Sequence, residues 1–164
     1  MLKRIIIHWT AGTYNVNTDV LNSYHYAVNN TGKIIACNHR PEDNIDCKDG
    51  NYAPHTGGGN TGSIGVAMCG MYVPNGFNVK STKYPLTKIQ CETTFQLVAE
   101  LAKKYNILIK PETILTHYEF GKAHPDSSSA GKIDIIYLTA YPHVEPSDIG
   151  AFIRTKVKWY YNHL

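Results

Sequence analysis

The sequence has no long apolar run. Nothing in its 164 residues approaches the ~20 consecutive apolar positions that a helix needs to span a bilayer. The first residues, MLKRIIIHWTAG, hold only Ile5, Ile6 and Ile7 before His8 and Trp9, too short a stretch for the apolar segment of a signal peptide. A soluble chain made in the cytoplasm is expected. No Cys-x-x-Cys pair occurs among Cys37, Cys47, Cys69 and Cys91, which excludes a cysteine zinc site and a thioredoxin-like motif. A Cys37–Cys47 bridge and four reduced thiols are both compatible with the spacing. There is no His-Glu-x-x-His helix, the mark of many zinc proteases. Lys and Arg are scattered, and the net charge is only +3. That excludes a nucleic-acid partner and suits an anionic polymer instead.

What is present fits one domain, residues 1–164, with a core of its own. A chain of this size buries about 70% of the surface it exposes unfolded, so folding needs neither disulfides nor a structural metal. Twelve tyrosines are the one compositional excess. Most suit half-buried strand positions. A few can offer a flat apolar face with a polar tip to sugar or peptide.

The β-branched run at Ile5–Ile7 predicts a buried strand over 3–9, broken by Ala11-Gly12. His8 then sits at the strand's C-terminal end, where sites collect in sheets flanked by helices. A short helix follows, with Thr18 or Asp19 as its cap. Segments 24–29 and 33–37 read as a hairpin around Asn30-Thr31-Gly32. Residues 38–62 form a long polar loop of the kind that carries binding residues. A strand resumes over 63–71. Thr87 and Gln90 form a capping box that opens a helix over 88–105, with Ile89, Leu97, Val98, Leu101 and Tyr105 as its apolar stripe. A short strand over 113–116 leads to His117, and 121–131 is a loop. A last helix runs from Ser147 towards Tyr161, with Ile149, Phe152, Ile153, Val157 and Tyr160 inward and Arg154, Lys156 and Lys158 largely elsewhere. The fold class is α/β: a central mixed β-sheet flanked by helices.

Three side chains at the ends of different elements are suited to zinc: His8, His117 and Asp134. Catalytic zinc takes three protein ligands of this kind and keeps one position open. The spacing alone is not diagnostic.

The motifs around these residues are more specific. Ile6-Ile7-His8-Trp9-Thr10-Ala11 resembles the first ligand motif of the N-acetylmuramoyl-L-alanine amidases, which include phage lysozyme-type enzymes and animal peptidoglycan recognition proteins. Tyr24-His25-Tyr26, His55 with its glycines, Ser63-Ile64-Gly65-Val66, Leu115-Thr116-His117-Tyr118-Glu119 and Gly131-Lys132-Ile133-Asp134 follow in that family's order. The resemblance covers roughly residues 4–138. It implies a peptidoglycan-recognition-protein-like fold and a zinc ion on His8, His117 and Asp134. It further implies hydrolysis of the amide between N-acetylmuramic acid and L-alanine by a phage or prophage lysis enzyme. A bacterial amidase or effector of the same chemistry and a non-catalytic peptidoglycan-binding protein are the alternatives. Tyr24 and Lys132 are then the catalytic side chains. Lys132 stabilises the oxyanion, and Tyr24 orients water or donates to the tetrahedral intermediate. Trp9, His55 and Thr56 contact substrate. Peptidoglycan is the partner, the protein is a monomer, and another agent delivers it to the wall in the periplasm.

Two departures stand out. Bacterial recycling amidases of this family carry a glutamate in the central strand where this chain has Ala67, which places it nearer the phage and recognition-protein branch. The loop over 121–131 is longer than in the phage enzymes, so His124 and Asp126 are alternative third ligands. Glu119 is read as a partner that sets a histidine tautomer.

Overall fold

Ile5, Ile6 and Ile7 are all fully buried, because the strand that carries them has a neighbour on each side. In the computed structural model, which describes residues 1–74 and 78–164, this strand is β1 (Arg4–Trp9). It runs parallel to β4 (Ser63–Met68) and β5 (Ile114–Thr116). β2 (Tyr26–Val28) adds to β4 in parallel, and β3 (Ile34–Ala36) closes the hairpin antiparallel to β2. The sheet is therefore mixed and five-stranded, in the order β3-β2-β4-β1-β5. The helices are α1 (Thr18–Ser23), α2 (Lys88–Lys104), α3 (His117–Ala123) and α4 (Ile149–Asn162). No helix of the described residues is long and apolar enough to cross a membrane.

Side chains alternate along β1, and the two faces of the sheet have different fates. Ile5, Ile7 and Trp9 enter the main core, where Phe95 and Val98 of α2 meet Ile149, Ile153 and Val157 of α4. Ile6 points the other way and packs with Leu115 and Phe120 in a smaller cluster. His8 continues on the Ile6 side, at the end of the strand, where apolar packing gives out.

Residues 38–62 close this second face with little regular structure apart from a 3-10 turn over Pro41–Ile45. Asn44 holds the loop in place. Its amide nitrogen donates to the carbonyls of Ala53 (2.9 Å) and Asn60 (3.1 Å), and its side-chain oxygen accepts from the Ala53 N–H (2.9 Å). The same oxygen accepts from His25 Nε2 at 2.9 Å, while His25 Nδ1 accepts from the Gly65 N–H. Since a backbone N–H can only donate, the proton of His25 is on Nε2.

α2 opens as expected. The Thr87 hydroxyl accepts from the Gln90 N–H and the Gln90 side chain returns to the Thr87 N–H. The Gln90 amide also donates to the carbonyls of Val28 and Cys69, tying α2 to the ends of β2 and β4.

Several local expectations change. Asn17, not Thr18 or Asp19, caps α1 by accepting from the Val20 N–H. Ile89 lies off the apolar stripe of α2 and is 56% exposed. The region expected as loop from residue 121 is helical through Ala123, because Thr116 and Glu119 form a capping box that starts α3 at His117. Arg154 of α4 turns inward, donating to the Ile114 carbonyl (3.0 Å) and pairing with Glu119 (3.1 Å). All four cysteines are free, so no Cys37–Cys47 bridge forms. Burial pushes the Cys69 thiol up to about 11 and Cys37 to about 12, which leaves both protonated and unreactive near neutral pH.

Candidate metal centre

His8 ends β1 and His117 begins α3, directly after β5. Since β1 and β5 are parallel neighbours with Ile7 opposite Thr116, the next residue of each strand falls at the same end of the sheet. The imidazole rings lie 4.7 Å apart, edge to face. Asp134 comes from an irregular segment. Its carbonyl accepts from the Tyr118 N–H at 2.6 Å, and Ile135 and Leu138 behind it are buried in the main core. The carboxylate meets Nδ1 of His8 at 3.0 Å and Nδ1 of His117 at 3.2 Å. All three residues are buried, and one ligand atom from each lies within 4.8 Å of the others.

The charges suit a cation. Burial lowers the pKa of His8 and keeps its imidazole neutral. Burial alone would raise the pKa of Asp134, yet the close approach of the His117 and His8 rings outweighs that and lowers it, so the carboxylate stays ionised. Two imidazoles and a carboxylate converging with a fourth side open form a donor set that fits catalytic zinc.

The open side is a cavity of about 360 Å³. Tyr24, Lys132, His55, His117 and Asp134 line it, together with Trp9, Met71, Val73 and Val79. Its lining thus combines charged and hydroxyl groups with apolar side chains. Tyr24 closes α1 rather than lying in β2, and its ring is 5.2 Å from that of His8. Burial, reinforced by the nearby Asp134 carboxylate, raises its pKa, so the phenol stays protonated as a donor. Tyr26 turns to the main core instead. Lys132 is exposed and lines the same cavity, two residues before Asp134.

The two loop residues lie deeper than a binding loop suggests. Thr56 is fully buried, and only 6% of His55 is exposed. Nδ1 of His55 stands 3.1 Å from Nε2 of His8, and the Thr56 hydroxyl is within reach of both rings. Trp9 is 4% exposed, at the junction of core and cavity. His124 is apart from the centre: it stacks on Phe120 and bonds the Phe120 carbonyl through Nδ1. Asp126 is likewise exposed and outside the cluster. Glu119 is occupied by the α3 cap and Arg154, not by a histidine ring. Ser129 is the residue that sequence reasoning passes over. It is fully buried, and its hydroxyl lies 2.9 Å from His117 Nε2. Within Ser127-Ser128-Ser129 no spacing signal marks it.

Residues 2–133 match the family model described as N-acetylmuramoyl-L-alanine amidase. The chain belongs to that family. No curated protein matches it significantly. Among solved structures, a point mutant of PlyL is similar at 26% identity, over 95% of this chain and 84% of PlyL, with a TM-score of 0.53. AmiD from E. coli, solved with the substrate anhydro-N-acetylmuramic acid-L-Ala-D-gamma-Glu-L-Lys, is 19% identical over 71% of this chain and 48% of its own, with a TM-score of 0.47. Drosophila peptidoglycan recognition protein SD is 18% identical over 77% and 74%, with a TM-score of 0.49. For this amidase-family chain, the mixed sheet flanked by helices is therefore the family's fold. The family match stops at Ile133, one residue short of Asp134, so the third ligand rests on geometry.

Proposed function

We propose that this chain is a zinc-dependent N-acetylmuramoyl-L-alanine amidase in which His8, His117 and Asp134 hold the metal and Tyr24 and Lys132 serve the reaction. One observation carries the reading. The three candidate ligand atoms converge, and His117 and Asp134 of that cluster line a cavity together with Tyr24 and Lys132. Family membership supplies the bond that is cut: the amide between N-acetylmuramic acid and L-alanine in peptidoglycan.

When bound, zinc supplies Lewis acidity and a water acidic enough to react near neutral pH. The chain's residues do the rest. Tyr24, kept protonated, donates a hydrogen bond to the oxygen that gains charge as the carbonyl becomes tetrahedral. Lys132 offers its ammonium to the same oxygen from its own place on the cavity lining. Trp9, Met71 and Val79 give the sugar and stem peptide an apolar surface. His55 lines the cavity and can meet substrate there, whereas fully buried Thr56 does not line it. Ala67, opposite His8 in the sheet, brings no carboxylate to the site. By the family resemblance, that favours a phage- or prophage-type lysis enzyme, and a single zinc amidase domain acting as a monomer on the wall after separate delivery is part of the same proposal.

The test is digestion of purified cell walls with and without a chelator. Release of new L-alanine amino groups, abolished by chelation and restored by zinc, is the expected result. New reducing sugar ends would contradict it. Binding to walls without any product would favour a recognition protein.

A further inference from the structure

Each candidate ligand histidine turns its second ring nitrogen towards the loop that precedes β4. His117 Nε2 lies 2.9 Å from the Ser129 hydroxyl, and that hydroxyl lies 2.7 Å from the Gly57 carbonyl. A carbonyl can only accept, so the Ser129 proton goes to Gly57 and its oxygen receives the N–H of His117. On the other side, His55 Nε2 lies 3.2 Å from the Ser63 carbonyl, so its proton is on Nε2 and its Nδ1 accepts. His8 Nε2 then donates to His55 Nδ1 at 3.1 Å, or to the Thr56 hydroxyl at 3.3 Å while that hydroxyl donates to His55 at 2.7 Å. Either route places the His8 proton on Nε2. Both chains end on backbone carbonyls of one stretch, residues 57–63, and both leave Nδ1 bare towards Asp134.

We infer that His55 and Ser129 are positioning residues that lock His8 and His117 in the Nε2–H tautomer, presenting two Nδ1 lone pairs and a carboxylate to one cation. The inference rests on the zinc reading above and gives His55 a role other than substrate contact. The lock is built into the backbone. A Cβ on Gly57 would collide with Ser128, and one on Gly65 would collide with the His55 ring, so the close approach of loop and strand requires glycine at both positions. With no proton between the three acceptors, the arrangement repels itself unless a positive ion sits there. Outer partners of this kind typically change metal affinity 10–100-fold.

The experiment measures zinc affinity by competition with a chromogenic chelator for the parent, His55→Phe and Ser129→Ala, with circular dichroism confirming the fold of each. Weakening of about 10–100-fold in both variants is expected. Affinity equal to the parent in both would overturn the proposal. In parallel, nitrogen-15 spectra of the zinc-loaded parent should show protons on Nε2 of His8 and His117, protected from exchange. Ser129→Ala should expose the His117 proton to exchange, which a merely structural serine would not do. A proton on Nδ1 of either ring overturns the proposal even if a variant fails to fold. A parent that binds no zinc would overturn the reading of the centre itself, and this inference with it.

Discussion

His8 Nδ1 and the Asp134 carboxylate lie 3.0 Å apart although 126 positions separate them in the chain. The two side chains have opposite preferences when buried: the imidazole loses its charge and the carboxylate keeps its own. Asp134→Ala removes the only anion from the cluster. Zinc affinity and amidase turnover should both fall by more than the roughly 100-fold upper end expected for an outer partner. Chelator competition and amino-group release check this. Asp126→Ala and His124→Ala, outside the cluster, should leave zinc affinity unchanged.

Tyr24→Phe keeps the ring beside His8 and removes only the hydroxyl. Loss of a donor to a developing oxyanion costs about 10²–10³-fold in kcat, and the lower end is expected here. Zinc affinity should stay at the parent's value. A parallel loss of zinc would show that Tyr24 supports the metal rather than the reaction.

Lys132→Met should lower kcat less, by about tenfold, because an exposed ammonium acts through water as well as across the cavity. Raising the salt concentration should weaken the parent and leave the variant nearly unaffected. The readout is kcat at several ionic strengths.

His25 predicts the pH dependence of stability. Burial lowers its pKa from 6.5 to about 4, against the weaker opposing effect of its bond to Asn44. Below 6.5 the unfolded chain takes up a proton that the folded chain refuses, so stability falls as pH falls. The contribution is complete above about pH 6.5 and is lost progressively down to about pH 4, for a total of about 3 kcal/mol. Denaturant titrations of the metal-free protein at pH 7.5 and 4.5, compared with His25→Gln, should show a steeper loss in the parent.

Gly65→Ala tests the close approach of loop and sheet. The added Cβ would displace the His55 ring, at a typical overpacking cost of about 1–3 kcal/mol. Thermal unfolding should report that loss, and zinc affinity should drop with it.

The site and the fold were legible to different degrees. β1 could be read because three consecutive β-branched residues have few other uses, and α2 because Thr87 and Gln90 lie within one turn. The motifs on either side of His8 and His117 mark them as candidates, and the fold brings their rings within 4.7 Å of each other. Asn17 as a cap, the burial of His55 and the place of Ser129 were not legible, since each depends on a partner distant in the sequence or on loop geometry. Glu119 was assigned to the histidine, but the cap of its own helix and an arginine 35 positions later hold it. A side chain goes where its backbone aims it, and Glu119 at the third position of α3 is aimed at its own cap.

The central place of β1 has a consequence for synthesis. Its partners β4 and β5 are made long after it, and the last ligand emerges 126 residues behind the first. At about 5–20 residues per second the ribosome leaves roughly 6–25 s during which His8 exists without Asp134. Early in that interval the nascent chain holds an apolar strand without β4 or β5 and one of the three candidate ligands. The candidate cluster therefore cannot close until translation has passed Asp134, whatever the rest of the sheet has done by then.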